Sequence, residues 1–381
     1  MPADASDRRI TNLPPRHIAI FLPNLAGGGA ERVMLHLAEQ LAARGHRVDL
    51  LVASGHGELV AQVPARVRLI DFKAERLRSA LRPLTLYLKR DKPDTLLAVM
   101  WPLTVIAVAA HRLARSRARL VVSDHAVLSQ GYTSPKARRA IGLTARLAYP
   151  RADARIICSG EAADDLAILS RVKRGSIEVL HNPVAMPEVL PDRGVMDAVW
   201  GPGEGERLLA LGSLKAEKNH ALLIEAFARL REERPKARLA IVGEGRLRNR
   251  LEAQRDALGL HDAVILPGFA IDPWPWLASC DLFVLTSDSE ALPVVLVEAL
   301  HAGKTIVSTG AEGGPGEILG QGEHGDMVPR GNVPALVRAM DVALAHPADP
   351  EFQRRRARMV GGAAKLDRWE QLLAGPPSIR A

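Results

Sequence analysis

The chain has 381 residues, 47% hydrophobic and 25% charged, an ordinary balance for a folded protein of two or three domains. Its two cysteines, Cys158 and Cys280, lie in separate apolar runs, which excludes a disulfide framework and fits a reducing compartment. The net charge of +8 is uneven: residues 1–184 carry +12 and the remainder −4, which points the first half toward an anionic surface, a lipid phosphate or nucleic acid, or marks an ordinary Arg-rich face.

The opening MPADASDRRITNLPP is polar and has no apolar centre, so it does not read as a secretory signal. HIAIFLP then predicts a strand, AERVMLHLAEQLAARG an amphipathic helix closed by glycine, and HRVDLLVA the next strand. Between the first strand and the helix stand Gly27, Gly28 and Gly29, followed by Glu31. Small residues at a helix N-terminus let backbone amides approach an anion, although a tight turn with no ligand has the same composition. A dinucleotide fingerprint fails here. Arg32 replaces the last glycine of G-x-G-x-x-G, and the second strand ends LLVASG without an acid for the ribose.

Strands are predicted at RVRLIDF, DTLLAVM, RLVVSD, DARIICS and SIEVLHNPV, with helices between most of them. The longest apolar run, Thr95 to Ala110, is shorter than the about 20 residues of a bilayer span and is broken by Pro102; it reads as a strand and then a helix. FKAERLRSALRPLTLYLKRDK, HRLARSRARL and SPKARRAIGLTARLAYPRADAR read as helices with apolar and basic faces. His125 follows a strand end in VVSDHAVLSQGY, a position open to a structural or a functional role.

The pattern lapses in NPVAMPEVLPDRGVMDAVWGPGEGE, rich in proline and glycine, and then resumes with RLLALGS, ARLAIVG, AVILPGF, LFVLTS and TIVST. Alternating strands and helices on both sides of that seam, near residue 185, predict an α/β protein of two Rossmann-like, doubly wound parallel sheets facing across a cleft. In LLALGSLKAEKNH, Gly212 ends a strand, and Ser213, Lys215 and Lys218 fill the loop, where the two ammonium groups either neutralise a diphosphate without a metal or are simply solvated, as surface lysines usually are. IVGEGRLR brings Gly243 to the next strand end, a composition that a plain turn also has. SDSEALPVVLVEALHAG sets Glu290 before a helix that begins near Leu292–Pro293, and Glu298 inside it. The helix is apolar nearly all round, so Glu298 is buried and needs a partner. Either a ligand lies across the helix mouth, or Glu290 is solvated and Glu298 pairs with a basic side chain. Zinc spacings, H-E-x-x-H, a Walker lysine and G-x-S-x-G do not occur, and with 4% aromatic residues the basic half lacks the interleaved rings that stack on single-stranded nucleic acid.

GGGAERV, GSLKAEKNH, VGEGRLR, ILPGF, DLFVLTSDSEALPVVLVEALHAGK, TGAEGGPGEIL and HGDMVPRGN, in this order, resemble the retaining nucleotide-sugar glycosyltransferases of the GT-B fold, the large group 1 family with the E-x7-E motif. The resemblance covers residues from about 17 to 345. It implies that Glu298 binds the ribose hydroxyls and Glu290 the transferred sugar. Ala291, Leu292, Pro293 and Val294, at the positive end of the helix, with Lys218, would hold the diphosphate. Gly28, Gly29, Gly212, Ser213, Lys215 and Gly243 would border the donor, and Gly29, Glu31 and His125 the acceptor. His125, Lys218 and Glu290 would be the catalytic set. Two departures stand out: Ser213 where the family often has arginine, with Lys215 as the alternative charge, and Ala291 where glycine is commoner.

The resemblance further implies an acceptor-binding domain over 1–184, a nucleotide-sugar domain over 185–360, and a C-terminal segment, 361–381, returning toward the first domain. The expected function is metal-independent transfer from a nucleoside-diphosphate sugar to a lipid-linked or glycan acceptor in envelope synthesis, with a UDP-sugar ahead of GDP-mannose. The expected location is cytoplasmic and peripheral on an anionic membrane face, as a monomer or weak dimer, with neither cofactor nor nucleic acid. A GT-B epimerase and a non-catalytic sugar-nucleotide binding protein are the competing readings; the collinear motifs disfavour the first, and the presence of Lys218, Glu290 and Glu298 together disfavours the second.

Overall fold

The computed structural model describes residues 13–131, 134–201, 205–310 and 313–375. Seven strands form the first sheet: β1 (His17–Leu22), β2 (Arg47–Val52), β3 (Arg68–Asp71), β4 (Thr95–Val99), β5 (Arg119–Asp124), β6 (Ala154–Ile157) and β7 (Glu178–Val179). Their spatial order is β3-β2-β1-β4-β5-β6-β7 and every pairing is parallel. Ile20 sits opposite Leu50 on one side and Leu97 on the other. Helices cover both faces, so strands read as unbroken apolar runs rather than alternating ones. Ile18 through Leu22 are fully buried for that reason.

The second sheet repeats the plan with β8 (Arg207–Leu211), β9 (Arg238–Val242), β10 (Val264–Gly268), β11 (Leu282–Leu285), β12 (Thr305–Thr309) and β13 (Asp326–Val328), ordered β10-β9-β8-β11-β12-β13 and again all parallel. In each sheet the strand order reverses beside its first strand. The loops after β1 and β4, and after β8 and β11, therefore part from one another and leave a crevice at the carboxyl ends.

Two local differences from the sequence reading have simple causes. SIEVLHNPV yields only the two-residue β7, because Pro183 has no N–H for a ladder and the chain leaves the sheet there to cross between domains. The helix after Glu290 runs Val294–His301, with Pro293 just outside it in extended conformation. The proline- and glycine-rich seam is also only partly loose. Trp200 is buried against Trp276, with ring centroids 5.9 Å apart, and its indole N–H donates to Ser279 Oγ at 2.8 Å, which fastens this stretch to the second domain.

The chain crosses between domains twice. At the crossing, Val184 N–H donates to Gly361 O at 3.0 Å. The helix Pro350–Gly361 packs on Val294–His301, and Ala363–Ala374 returns to the first domain. There Glu370, buried, accepts from His46 Nε2 at 3.0 Å and pairs with Arg44, which also bridges Asp367 at 2.7 Å. Thr95 Oγ1 donates to Leu373 O at 2.7 Å.

Candidate active site

The loops after β8 and β11 are knitted together by polar contacts. Asn219 holds a left-handed turn, φ +47°; its side-chain oxygen accepts from Leu222 N–H at the start of His220–Glu233, and its amide donates to Asp288 Oδ1 at 3.1 Å. Asp288 N–H donates to Glu217 O at 2.8 Å, and Thr286 Oγ1 to Lys218 O at 3.1 Å. This frame aims the Lys218 ammonium at the Glu290 carboxylate, with which it pairs, while Ser287 Oγ donates to the same carboxylate oxygen at 2.7 Å. Gly212 lies beneath the lysine stem: a Cβ there would stand 3.5 Å from Lys218 Cε. Gly243, φ +156°, allows a close approach, since a Cβ on it would fall 2.0 Å from Gly212 O. Ser213 follows Gly212 on the same loop. Lys215 is exposed, and its charge acts on Glu31 across the cleft.

Ala291 and Leu292 are buried, and no side chain caps the helix Val294–His301 that follows them. Its first amides are thus left to a ligand or solvent. Glu298, one turn in, is only 8% exposed, and its carboxylate has no hydrogen-bond partner among the described residues. Burial raises its pKa to about 7; the Arg32 charge works against that rise and Asp272 adds to it. The carboxylate opens on a cavity of ≈ 180 Å³ between the domains, shared with Arg32, His36 and Gln62 from the first and Pro273 and Trp274 from the second. Gln62 Nε2 is a buried donor with no partner. A carboxylate on a buried residue that reaches the cavity without a side-chain or backbone partner, and a buried amide donor without one, form a polar site that suits a ligand bearing hydroxyl groups.

The first domain supplies the opposite wall. Gly28 and Gly29 precede and open the helix Gly29–Ala43; a Cβ on Gly29 would lie 3.9 Å from Val294 Cγ2 in the facing helix mouth. Burial raises the pKa of Glu31, in the first turn. His125 follows β5. Its Nε2 is 3.4 Å from Ser123 Oγ, its Nδ1 is buried without a partner, and burial lowers its pKa to about 4, so the ring is neutral near pH 7. Behind it, buried Asp124, raised to about 7 by burial, accepts from Tyr149 OH and from Trp101 N–H at 2.7 Å. The His125 loop meets the Glu290 loop directly, because Ser289 Oγ donates to Gln130 Oε1 at 2.7 Å. Beside that contact, Glu317 of the second domain accepts from Gly160 N–H at 2.8 Å and from His181 Nε2 at 3.1 Å.

The structure thus gathers Lys218, Glu290, Gly212 and Gly243 around one ion pair, and sets Glu298 in a neighbouring cavity. Gly28, Gly29, Glu31 and His125 lie on the facing domain. The sequence reading missed Arg32, Ser287, Asp124 and Glu317; only the polarity of Ser287 next to the motif glutamate offered a signal.

Two doubly wound sheets with an E-x7-E helix mouth between them define a GT-B architecture. Solved structures agree: HepE from Anabaena, solved in complex with UDP, superposes with a TM-score of 0.75 at 21% identity, covering 94% of this chain and 100% of that one. Sucrose-phosphate synthase from Thermosynechococcus elongatus gives 0.76 at 18% identity, covering 93% and 97%. The family model described as Glycosyl transferases group 1 matches residues 197–363, and that for Glycosyltransferase Family 4 matches 27–186. The chain belongs to the group 1 glycosyltransferases. Among curated relatives, a lipopolysaccharide core biosynthesis glycosyltransferase, LpsE, from Rhizobium meliloti is 29% identical, over 92% of this chain and 97% of that protein. An N-acetylgalactosamine-N,N'-diacetylbacillosaminyl-diphospho-undecaprenol 4-alpha-N-acetylgalactosaminyltransferase from Campylobacter jejuni is 27% identical, over 86% and 90%.

Proposed function

We propose that the protein is a retaining, metal-independent glycosyltransferase that moves a hexose from a nucleoside-diphosphate sugar to a lipid-linked or glycan acceptor in envelope polysaccharide or glycolipid synthesis. The observation that carries this is Glu298, a buried carboxylate without a partner, one turn inside an uncapped helix whose mouth adjoins the Lys218–Glu290 pair. In this reading Glu298 accepts two ribose hydroxyls. The free amides at Val294 and Lys218 hold the diphosphate, doing electrostatically what a metal ion does elsewhere. Glu290 turns to the sugar hydroxyls. The C1–O bond to the β-phosphate breaks, a bond to the acceptor oxygen forms on the same face, and the acceptor proton passes to the departing diphosphate. Neutral His125 hydrogen-bonds a sugar hydroxyl from the other wall.

A UDP-sugar is the favoured donor, with GDP-mannose second. The name of the C. jejuni relative, which specifies a diphospho-undecaprenol acceptor, supports a lipid-linked acceptor. The helix Pro135–Ala148 supports a peripheral position on an anionic cytoplasmic membrane face: Leu143 is 62% and Leu147 53% exposed, and Lys136, Arg139 and Arg146 on the same helix form no ion pair among the described residues. Among the described residues, no helix is long and apolar enough to cross a membrane. The test is a thermal-shift and calorimetric screen with UDP, GDP, ADP and their sugars, followed by turnover of the donor that binds. UDP is expected to raise the melting temperature; silence from all three nucleotides refutes the donor site.

A further inference from the structure

Arg32 belongs to the first domain, yet among the described residues the hydrogen bonds and the ring contact of its guanidinium are with the second. One terminal nitrogen donates to Ile271 O at 2.9 Å and the other to Ala270 O at 2.8 Å, while Cζ stands 5.3 Å from the centre of the Phe269 ring. Next to this contact is Gly27, φ +75°, where a Cβ would lie 2.7 Å from Phe269 Cζ. The approach of the two loops therefore requires glycine. The segment held in this way has no regular secondary structure of its own, and Pro273 and Trp274, which follow it after Asp272, wall the Glu298 cavity. Arg32 lines the same cavity and forms no salt bridge among the described residues, which leaves its charge to act on that space.

We propose that Arg32 is a positioning residue of the donor site: its planar fork holds the Phe269–Ile271 loop against the cavity and sets a positive charge beside Glu298, so the donor half-site in the second domain is complete only while the first domain is closed upon it. This rests on the donor-site reading above. A fork bonded to two carbonyls fixes a loop in a way that a single ammonium does not, so Lys and Arg are not interchangeable here. The charge has a separate effect. Glu298 is faced by Arg32, His36 and Glu39 from the helix Gly29–Ala43 and by Asp272 from the held loop. His36 is neutral, its pKa lowered to about 4 by burial. His301 shares the Glu298 helix, and Arg354 and Arg358, on the helix packed against it, act on His301. Arg32 is therefore the facing cation that favours an ionised Glu298. Without it the carboxyl keeps its proton to higher pH and accepts ribose hydroxyls poorly.

The test uses the full chain, with UDP as probe, and compares wild type, Arg32→Lys, Arg32→Met and Glu298→Gln by calorimetry from about pH 6 to about pH 8.5, together with donor KM, kcat and melting temperature. Arg32→Met is expected to lose about tenfold or more in UDP affinity at neutral pH, with part of the loss recovered at the alkaline end. Arg32→Lys keeps the pH profile of the wild type and loses several-fold at every pH, and in both variants KM rises more than kcat falls. A lowered melting temperature with UDP affinity and its pH profile unchanged makes Arg32 a structural clamp and overturns the proposal. If Glu298→Gln weakens UDP binding while Arg32→Met binds as wild type, this proposal falls and the donor site stands. If wild type binds neither UDP, GDP nor ADP, both fall together.

Discussion

Replacing Glu298 by glutamine should stabilise the free protein and impair the liganded one, and the two effects should respond differently to pH. In the folded chain the carboxyl is buried without a hydrogen-bond partner, and its pKa is raised from the usual 4.5 to about 7. Below about pH 4.5 both folded and unfolded chains carry the proton and the site costs nothing. Stability then falls as the pH rises, until above about pH 7 both states are ionised and the folded state bears the whole penalty. At about 1.4 kcal/mol for each pKa unit, that penalty is about 3.5 kcal/mol, of which about 2.5 develops between pH 5 and pH 8. Glutamine is neutral throughout and lacks this slope. Urea denaturation of wild type and Glu298→Gln at about pH 5 and about pH 8 should show a difference under about 1 kcal/mol at the acid end and a gain of about 3 kcal/mol for the variant at the alkaline end. Calorimetry with UDP should show the opposite preference, a loss of about 10- to 100-fold at pH 8, because a charged acceptor of two hydroxyl bonds has become a poorer one. Parallel stability curves for the two proteins would mean that Glu298 carries no burial penalty, and undiminished UDP affinity in the variant would mean that it does not bind the ribose.

Glu290→Gln removes the acid that pairs with Lys218 but does not touch the ribose site, so UDP should bind within a few-fold of wild type while initial rates with the full donor fall about tenfold or more; equal losses in both would reassign Glu290 to nucleotide binding. Gly243→Ala places a methyl group about 2 Å from Gly212 O at φ +156°; the β8 loop must shift, and Lys218-dependent turnover should fall by at least about tenfold, with a lower melting temperature. Turnover should survive EDTA without loss, and a chelator-sensitive rate restored by Mg²⁺ or Mn²⁺ counts against a helix mouth and a lysine acting alone. Vesicles of anionic lipid should bind at low salt and release as ionic strength rises through about 0.1 M, where the screening length is about 10 Å; equal binding to neutral vesicles contradicts the charge-based reading.

The two sheets were legible because strands buried on both faces write apolar runs that recur between helical periods. The strand-order reversals then followed from the repeated plan. Glu290 and Glu298 were legible as an anomaly, two acids flanking an apolar helix, but their division of labour came from family resemblance. Arg32 was read only as a glycine missing from a fingerprint. Its partners are backbone carbonyls 238 and 239 residues away, and carbonyls leave no trace in a sequence. Glu317 was hidden for a similar reason, since it accepts from the amide of Gly160, 157 residues earlier. Lys215 was expected to serve as a second charge for the phosphates; it stands exposed on the turn, and only three dimensions reveal that its charge acts on Glu31 of the other domain. SIEVLHNPV read as a longer strand because strand propensity does not register that the chain must turn away at Pro183 to change domains.

The double crossing at Val184 and Gly361 limits how the cleft can open. Domains joined by one flexible strand can swing, twist and slide. Here the segment at Val184 is hydrogen-bonded to the helix end at Gly361, and the glycine lets the two touch: a Cβ at Gly361 would meet Val297 Cγ1 at 2.8 Å and Val184 Cγ2 at 3.1 Å. Twisting about the long axis would shear that pair and pull on the Glu370 anchor in the first domain, whereas a jaw-like swing across it would not. The paired crossings thus resist a twist more than a jaw-like swing, and Gly29, His125 and Arg32, all on the first domain, sit on the same side of such a swing.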